Sequence, residues 1–410
     1  MPLRVLVSEG SSTSAREAIT VLGLAGHHVE ICDPSPWCLS RYSRFVAHFH
    51  RCPPLRDDPD RYLAFIERLL ASHTFDVLLP THEQGFLFAR VQRRLTPGIA
   101  VALPSFESYR TAHSKAGFSR LLSSLRLPQP ATRIVTSEKA LREAVRYPVV
   151  VKTSVGTASR GVWTVRDISD LDNAVRELTA AGAFAGEVLV QGFVQGTVEK
   201  AQSVFSRGRL VGFHAYRQIA PGISGGEAIK ESVLRPNIRK MLEAIGERLA
   251  WHGALSIDYL MPEHDATPRL IDCNPRLVEP MSAYLAGTDL VGLLLKVSRG
   301  ETPEPLPDGR AGVRTHLAMQ ALLGVAARGG TRADLFRECR RLWRGSEPYD
   351  GSREELTPVM SDRRSAVPLA LTAAMLLARP KSASVLAHGG FGAHLLSLES
   401  IRQIESETFS

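Results

Sequence analysis

Leu255-Ser256-Ile257-Asp258-Tyr259-Leu260 and Arg269-Leu270-Ile271-Asp272-Cys273-Asn274-Pro275-Arg276-Leu277-Val278-Glu279-Pro280 are two short apolar runs, each with a carboxylate at its centre, Asp258 and Asp272. Residues 261–268 between them are polar, with prolines near both ends. The pattern predicts two antiparallel strands joined by a loop. A carboxylate inside a strand is costly unless something positive compensates it. Two facing carboxylates, with Asn274 two residues beyond Asp272 and Arg276 two further on, offer a site for a hard cation and an anion. Mg²⁺ takes oxygen ligands and shares them with substrate phosphates, and Asp258, Asp272 and Asn274 supply such oxygens. Solvated acids on half-exposed strands are the plain alternative. The order Asp-x-Asn-x-Arg favours a site.

The 410 residues exceed what one hydrophobic core ordinarily supports, so several associated domains are expected. A composition 44% hydrophobic and 22% charged is that of a globular protein. The net charge of +8 attracts anionic ligands such as nucleotides. Its Lys and Arg are scattered, so no nucleic-acid partner is expected. The five cysteines form no Cys-x-x-Cys pair, which argues against a zinc ribbon or a dithiol redox site. An odd count with no signal-like leader leads us to expect reduced thiols and a cytoplasmic protein. The longest apolar run, 366–378, is too short for a membrane span and contains Pro368, so it is expected to pack as a helix.

Along the chain, 4–8 reads as a strand, 14–25 as a helix and 28–32 as a second strand, a βαβ start. The turn Glu9-Gly10-Ser11-Ser12 lacks the Gly-x-Gly-x-x-Gly fingerprint of a dinucleotide site. A helix from Asp58-Pro59 to about 73 precedes a strand at 75–79, and 99–103 closes this doubly wound unit. Glu83, just past the 75–79 strand, lies where such units place ligands, though an acid there also complements a helix dipole. A helix at 113–125 is followed by a small α+β unit, with strands at 149–152 and 162–165 around the loop 153–161. Ser169 and Asp172 suggest a capping box for the next helix. Lys152 ends an apolar strand beside a loop of small residues, a pattern that can lay backbone N–H groups and one cation along phosphates. It is not a Walker A loop. Strands at 188–191, 199–205 and 210–216, a Gly-rich loop at 221–226, a helix at 237–251, a helix at 287–299 and a strand at 313–319 follow. The rest is mainly helical and Arg-rich.

In this order the pieces resemble an ATP-grasp protein over about residues 1–320. The resemblance is carried by Lys115, "VVVKTSVGTASRGVWTV", "VLVQGFVQGTVEKAQSVF", "GALSIDYL" and "LIDCNPRLVEP". The branch most resembled holds carbamoyl-phosphate synthase, biotin carboxylase and carboxylate–amine ligases. The resemblance implies an α/β and α+β architecture: a doubly wound, Rossmann-like domain at 1–111, a small lobe with a phosphate flap at 112–186, a large lobe with the Mg/ATP site at 187–320 and a helical C-terminal extension at 321–410. By position it implies that Lys115 and Lys152 contact ATP phosphates under a flap that includes Ser154, Gly156, Ser159 and Gly161. Gln191, Phe193 and Val194 would line the adenine, and Glu199 the ribose. Asp258, Asp272 and Asn274 would hold Mg²⁺, with Mn²⁺ as an alternative, and Arg276 would steady the reacting phosphate. Both metal carboxylates are Asp where Glu is usual in the family. Gly192 stands where an acid is frequent, and Thr153 where Pro is common.

The implied reaction joins a small carboxylate to an amine through an acyl phosphate, releasing ADP and phosphate. Carboxyphosphate or carbamoyl chemistry on bicarbonate, and a non-catalytic ATP-binding subunit, are the alternatives. Glu83, Arg217, Gly225, Gly226, Glu279 and Arg314 are the candidate substrate residues. The expected partners are small molecules, with self-association into a homodimer admitted.

Overall fold

The computed structural model describes residues 1–95, 98–156, 161–263, 265–388 and 391–406. The predicted flap residue Ser159 lies outside them. Three sheets organise the described chain.

The first sheet is parallel, formed by β1 (Arg4–Val7), β2 (His28–Asp33), β3 (Val46–Arg51) and β4 (Val77–Leu79) in the order β3-β2-β1-β4. Successive strands fill to one side of β1 before the chain crosses to β4, so the strand order reverses at β1, where doubly wound sheets open a ligand crevice. Helix Thr13–Leu24 starts directly after β1 because the Ser12 side chain accepts from the Ala15 N–H. Asp58 caps helix Pro59–Ser72 in the same way, with Pro59 at its first position. The sequence misses β3, and the strand predicted at 99–103 is only an isolated bridge from Ala100 to Val77.

The second sheet is antiparallel, with β5 (Thr132–Val135), β6 (Val149–Thr153), β7 (Val162–Val165) and β8 (Val188–Gly192) in the order β5-β8-β6-β7. Side chains alternate across a strand, so Val149, Val151, Val188 and Val190 pack on helices Glu138–Ala144 and Ile168–Ala180. Val150, Lys152, Leu189 and Gln191 take the other face. The cap of helix Ile168–Ala180 is Asp167, whose side chain accepts from the Asp170 N–H. Ser169 and Asp172 are inside that helix, so the predicted capping box is two residues out of step.

The third sheet holds seven strands in the order β13-β12-β9-β10-β11-β14-β15. These are β9 (Gly196–Ser206), β10 (Arg209–Pro221), β11 (Glu227–Val233), β12 (Gly253–Pro262), β13 (Arg269–Asn274), β14 (Arg314–His316) and β15 (Arg353–Glu354). One face is apolar: Phe205, Phe213, Ala215, Ile257 and Tyr259 pack with Ile238, Leu242 and Ile245 of helix Pro236–Arg248. The opposite face carries Lys200, Gln202, His214, Tyr216, Ser256 and Asp258, and passes to Val204 and Val211 where helix Leu290–Ser298 covers it. The sequence misses β11 and overextends two elements, since the predicted helix at 287–299 starts at Leu290 and the strand predicted at 313–319 is only β14.

The C-terminal part is mainly helical, as expected, with helices Ala318–Ala327, Arg332–Arg344, Ala366–Ala378 and Leu398–Glu405. It is tied into the body. Asp362 accepts from Arg16 (2.9 Å) and from the Ser43 hydroxyl (2.7 Å), and the Ser400 hydroxyl donates to the Arg56 carbonyl (2.7 Å). No helix among the described residues is long and apolar enough to cross a membrane. All five cysteines are free thiols.

Candidate active site

The two strands quoted first are β12 and β13, paired antiparallel with Asp258 opposite Asp272 and Ser256 opposite Asn274. A β-bulge follows, because Tyr259 pairs with Leu270 and Ile271 is the extra residue. The bulge has two effects. It keeps Leu270 in the apolar core while Asp272 shares a face with Asp258. It also leaves the Ile271 carbonyl to accept the Lys152 ammonium at 3.1 Å, which brings β6 of the second sheet onto β13.

Lys115 meets the same spot from the first turn of helix Lys115–Ser124, whose N-cap is Ser114. Its Nζ donates to both Asp272 oxygens, at 2.8 and 2.7 Å, and to the Gly156 carbonyl in the flap at 3.0 Å. The flap stem is fixed by backbone bonds from Lys115 N to Ser154 O (2.8 Å), Ser154 N to Glu187 O (3.0 Å) and Thr153 N to Gly161 O (2.9 Å). Gly161 has φ +72°, and a Cβ there would sit 2.2 Å from the Thr153 hydroxyl, so only glycine closes this loop.

Electrostatics distinguish the two aspartates. Burial pushes Asp272 up, but the Lys115 and Lys152 charges outweigh it and hold its carboxyl below the usual range. Burial pushes Asp258 up, Lys200 opposes this and Asp272 adds to it, and the net shift is upward. Asp258 Oδ1 is buried and, among the described residues, has no hydrogen-bond partner. Burial lowers Lys152, with Asp272 acting against that and Lys115 with it. An orphaned carboxylate oxygen beside a second carboxylate and the Asn274 amide is an oxygen donor set that fits a hard divalent cation.

Arg276, on the loop after β13, is buried, and its Nε has no partner among the described residues. The loop that carries it is pinned by the Ser256 hydroxyl on the Arg276 carbonyl (2.7 Å), by Gln202 Nε2 on the Glu279 carbonyl (3.1 Å) and by the Met281 N–H on Glu17 Oε2 (3.0 Å). Glu279 lies on the same loop at φ +56° and receives Lys230 at 2.5 Å. The Gly-rich turn is held by Gln320, whose Oε1 accepts the Ile223 N–H at 3.0 Å, and the Gly225 carbonyl lies 3.5 Å from Lys200 Nζ. Gln191 is buried on the Lys152 face, with Nε2 3.0 Å from the Thr132 hydroxyl, and Phe193 and Val194 lie on the short link from β8 to β9.

Four sequence expectations need correction. Glu199 is on the opposite face of β9 from Lys200, and both its oxygens are taken, by Arg235 and by the Tyr259 hydroxyl (2.9 Å). Arg217 and Arg314 share that opposite face, where Glu231 pairs with both, at 2.6 and 3.0 Å. Strand parity therefore takes all three away from the aspartate row. Glu83 accepts the backbone N–H of Leu396, so the C-terminal segment covers it.

That segment enters the crevice of the first sheet. His394 Nε2 lies 3.0 Å from Asp33 Oδ2 and its Nδ1 lies 2.9 Å from the Gln84 amide. Glu9, Asp33 and His394 could in principle hold a metal. Both carboxylates are already supplied with donors, from the Ser12 and Thr81 hydroxyls on Glu9 and from the Gly10 N–H and Ser11 hydroxyl on Asp33. Burial lowers His394, but the Asp33 hydrogen bond and the Glu9 and Asp33 charges outweigh it, and the net shift is upward. A raised folded-state value stabilises the docked segment below the unfolded value of about 6.5, and that contribution is lost as pH rises through the folded value. Amide exchange over 395–404, corrected for intrinsic rate, is expected to accelerate between pH 6 and pH 9 in the wild type. A His394→Gln variant should show no such step.

Sequence reasoning missed Glu17, Lys200, Gln202, His214, Lys230 and Glu355, which lie on or against the aspartate face. The available signal was polar residues at alternate positions of otherwise apolar strands, as in Lys200-x-Gln202 and His214-x-Tyr216.

A doubly wound parallel sheet, a small antiparallel lobe and a large antiparallel sheet, with two lysines and two aspartates at the lobe seam, define a protein class. The arrangement is the ATP-grasp fold. The chain is 26% identical over 278 residues to the carbamoyl phosphate synthase large chain of Rubrobacter xylanophilus, covering 61% of this chain and 26% of that one. It is 25% identical over 224 residues to the Thermus thermophilus large chain, covering 51% and 22%. The chain thus spans about a quarter of the length of these curated relatives. Among solved structures it resembles the Hydrogenobacter thermophilus 2-oxoglutarate carboxylase biotin carboxylase domain, in complex with MgADP, ADP and bicarbonate, with TM-score 0.61 and 16% identity over 77% of this chain and 74% of that one. It also resembles an N5-carboxyaminoimidazole ribonucleotide synthetase in its ADP complex, with TM-score 0.62 and 14% identity over 90% and 97%. A Bacillus licheniformis L-amino acid ligase aligns with TM-score 0.56 and 16% identity over 72% and 74%. No family model matches the chain.

Proposed function

We propose that the chain is an ATP-dependent carboxylate–amine ligase, and that the phosphates of ATP bind between the second sheet and the β12–β13 pair. The observation that carries this reading is the meeting of Lys115, Lys152, Asp258 and Asp272 at one seam. Lys115 and Asp272 are paired in this structure, so nucleotide entry exchanges that pair for phosphate and metal contacts. Asp258, Asp272 and Asn274 would hold Mg²⁺, which would neutralise charge on the transferring phosphoryl group. Phosphoryl transfer asks the protein mainly for positioning and charge compensation. Lys152 orients a phosphate from the β6 side and Lys115 from the helix side. The flap over Ser154 and Gly156 excludes water from the acyl phosphate. Arg276, on the loop after β13, would steady the reacting phosphate. The carboxylate attacks the γ-phosphorus and ADP leaves. The amine, once its ammonium has given up a proton, attacks the acyl carbon with its lone pair, phosphate departs with the C–O bonding pair, and the nitrogen sheds its surplus proton to that phosphate.

Activation of bicarbonate is a second reading, favoured by the carbamoyl phosphate synthase relatives and by the bicarbonate-bound neighbour. Incubation with ATP, Mg²⁺ and pooled amino acids, with ADP and phosphate measured, separates the two. Amino-acid-dependent ADP supports the ligase, and stimulation by bicarbonate alone supports the second reading. Tight ATP binding with no ADP from any carboxylate sinks both.

Lys152→Ala removes a buried charge-assisted contact of the kind that contributes about 1.5–3 kcal/mol. Its nucleotide affinity, read by calorimetry, should fall about 10- to 100-fold. An unchanged affinity would remove Lys152 from the phosphate site.

A further inference from the structure

Beyond Asp258, on the same face of the large sheet, is a buried polar cluster that phosphate chemistry does not use. It comprises Glu17 from helix Thr13–Leu24, Gln202, His214 and Tyr216 from β9 and β10, Glu227 and Lys230 from β11, Glu279, and Glu355 just after β15. None of these is more than 5% exposed. Lys230 donates to Glu279 at 2.5 Å and to Glu355 at 2.7 Å, and Lys200 pairs with Glu227 at 2.7 Å. Lys200 is also the cross-strand neighbour of Asp258 and of Tyr216, which makes the cluster continuous with the aspartate row.

Acids outnumber cations here: Glu17, Glu227, Glu279, Glu355 and Asp258 face Lys200 and Lys230. Acceptors outnumber donors as well. Among the described residues, Glu17 Oε1, Glu355 Oε1, Gln202 Oε1, both His214 ring nitrogens and the Tyr216 hydroxyl have no hydrogen-bond partner. Burial, with the Glu355 charge adding to it against Lys230, pushes the Glu17 carboxyl well above the usual range, so a proton stands there in place of a counter-ion. Ionised carboxylates and the amide oxygen only accept, and a neutral imidazole offers one acceptor. Burial, then the Lys230 charge, lowers His214 to about 3, so its ring is neutral. Burial, with Glu279 adding to it against Lys230, raises Glu355 to about 7. Buried acceptors in excess of donors call for a ligand that brings both positive charge and N–H groups. A primary ammonium brings one charge and three donors.

We propose that this cluster is the amine subsite, and that it takes a primary ammonium group on the oxygens of Glu17, Glu355 and Gln202, beside the aspartate row. The proposal rests on the ligase reading of that row. It makes the first sheet's helix and the C-terminal region, through Glu17 and Glu355, part of substrate recognition. The expected substrate class is a primary amine, including the α-amino group of an amino acid.

The test is calorimetric titration of the full chain, without nucleotide, with methylammonium chloride and with tetramethylammonium chloride. The second ion carries the charge but donates no hydrogen bond. Saturable binding of methylammonium alone is expected, weakened about tenfold or more in Glu17→Gln and in Glu355→Gln. MgATP affinity on the same samples reports whether each variant is folded. If a variant is not folded, the two ions on the wild type still decide. Absent methylammonium binding, equal binding of the two ions, or unchanged affinity in both folded variants overturns the proposal. Any of these alongside intact carboxylate-dependent ADP formation leaves the ligase reading standing.

Discussion

Asp272→Asn is expected to lower the rate of ADP formation about a thousandfold or more while leaving the fold intact. Asp272 is the carboxylate on which the seam converges. Lys115 reaches both its oxygens, Lys152 is anchored one residue earlier at Ile271, and Asp258 faces it across the ladder. Its carboxyl is held below the usual range by the two lysines, so it is ionised at neutral pH and ready to exchange a lysine for a metal ion. The amide keeps the shape and loses the charge. It leaves two lysines facing a neutral group, and Asp258 as the one remaining carboxylate. Circular dichroism and thermal unfolding should remain close to wild type, since Asp272 lies at the seam and outside the apolar core. Near-full turnover in this variant would mean that the metal and phosphates bind elsewhere.

Asp362→Ala is expected to have the largest effect on stability, about 3–5 kcal/mol. Arg16 and Asp362 both have fully buried side chains, joined at 2.9 Å across 346 residues of sequence. Asp362 also accepts from the Ser43 hydroxyl and the Arg44 N–H. Removing the acid leaves a buried guanidinium without its counter-charge, the costly half of a broken buried pair. The midpoint of urea unfolding should fall clearly, and limited proteolysis should cut first within 353–365. A change below about 0.5 kcal/mol, the scale of an ordinary surface substitution, would mean that the C-terminal region does not dock on the first sheet.

Much of this could be read from the residues because the signals are local. Asp258 and Asp272 sit at the centres of apolar runs whose length and turn chemistry give one antiparallel pairing. Lys152 at the end of Val149-Val150-Val151 marks itself, because a lysine there needs a partner. The βαβ start follows from an apolar run, a turn of small residues, a helical pattern and a second apolar run in close succession. What sequence could not give is parity and long-range pairing. Glu199 and Lys200 are adjacent, yet one joins Arg235 and Tyr259 while the other lies opposite Asp258 and pairs with Glu227. Which faces the site is fixed by cross-strand register. Arg217 and Arg314 go to the wrong face for the same reason. β11, Glu-Ala-Ile-Lys-Glu-Ser-Val, is assigned no element from the sequence, because the partners of Lys230, Glu279 and Glu355, lie 49 and 125 residues away. β3 carries His48, His50 and Arg51, which hide a strand from an apolar pattern.

The central claim, that the seam activates a carboxylate by phosphorylating it, is tested most directly by isotope transfer. The protein would be supplied with ATP, Mg²⁺ and a pool of amino acids carrying ¹⁸O in their carboxylates, and the released phosphate analysed by mass. The account predicts one ¹⁸O in each phosphate formed, carried over when the amine displaces phosphate from the acyl carbon. Phosphate released in step with ADP but free of label would contradict it.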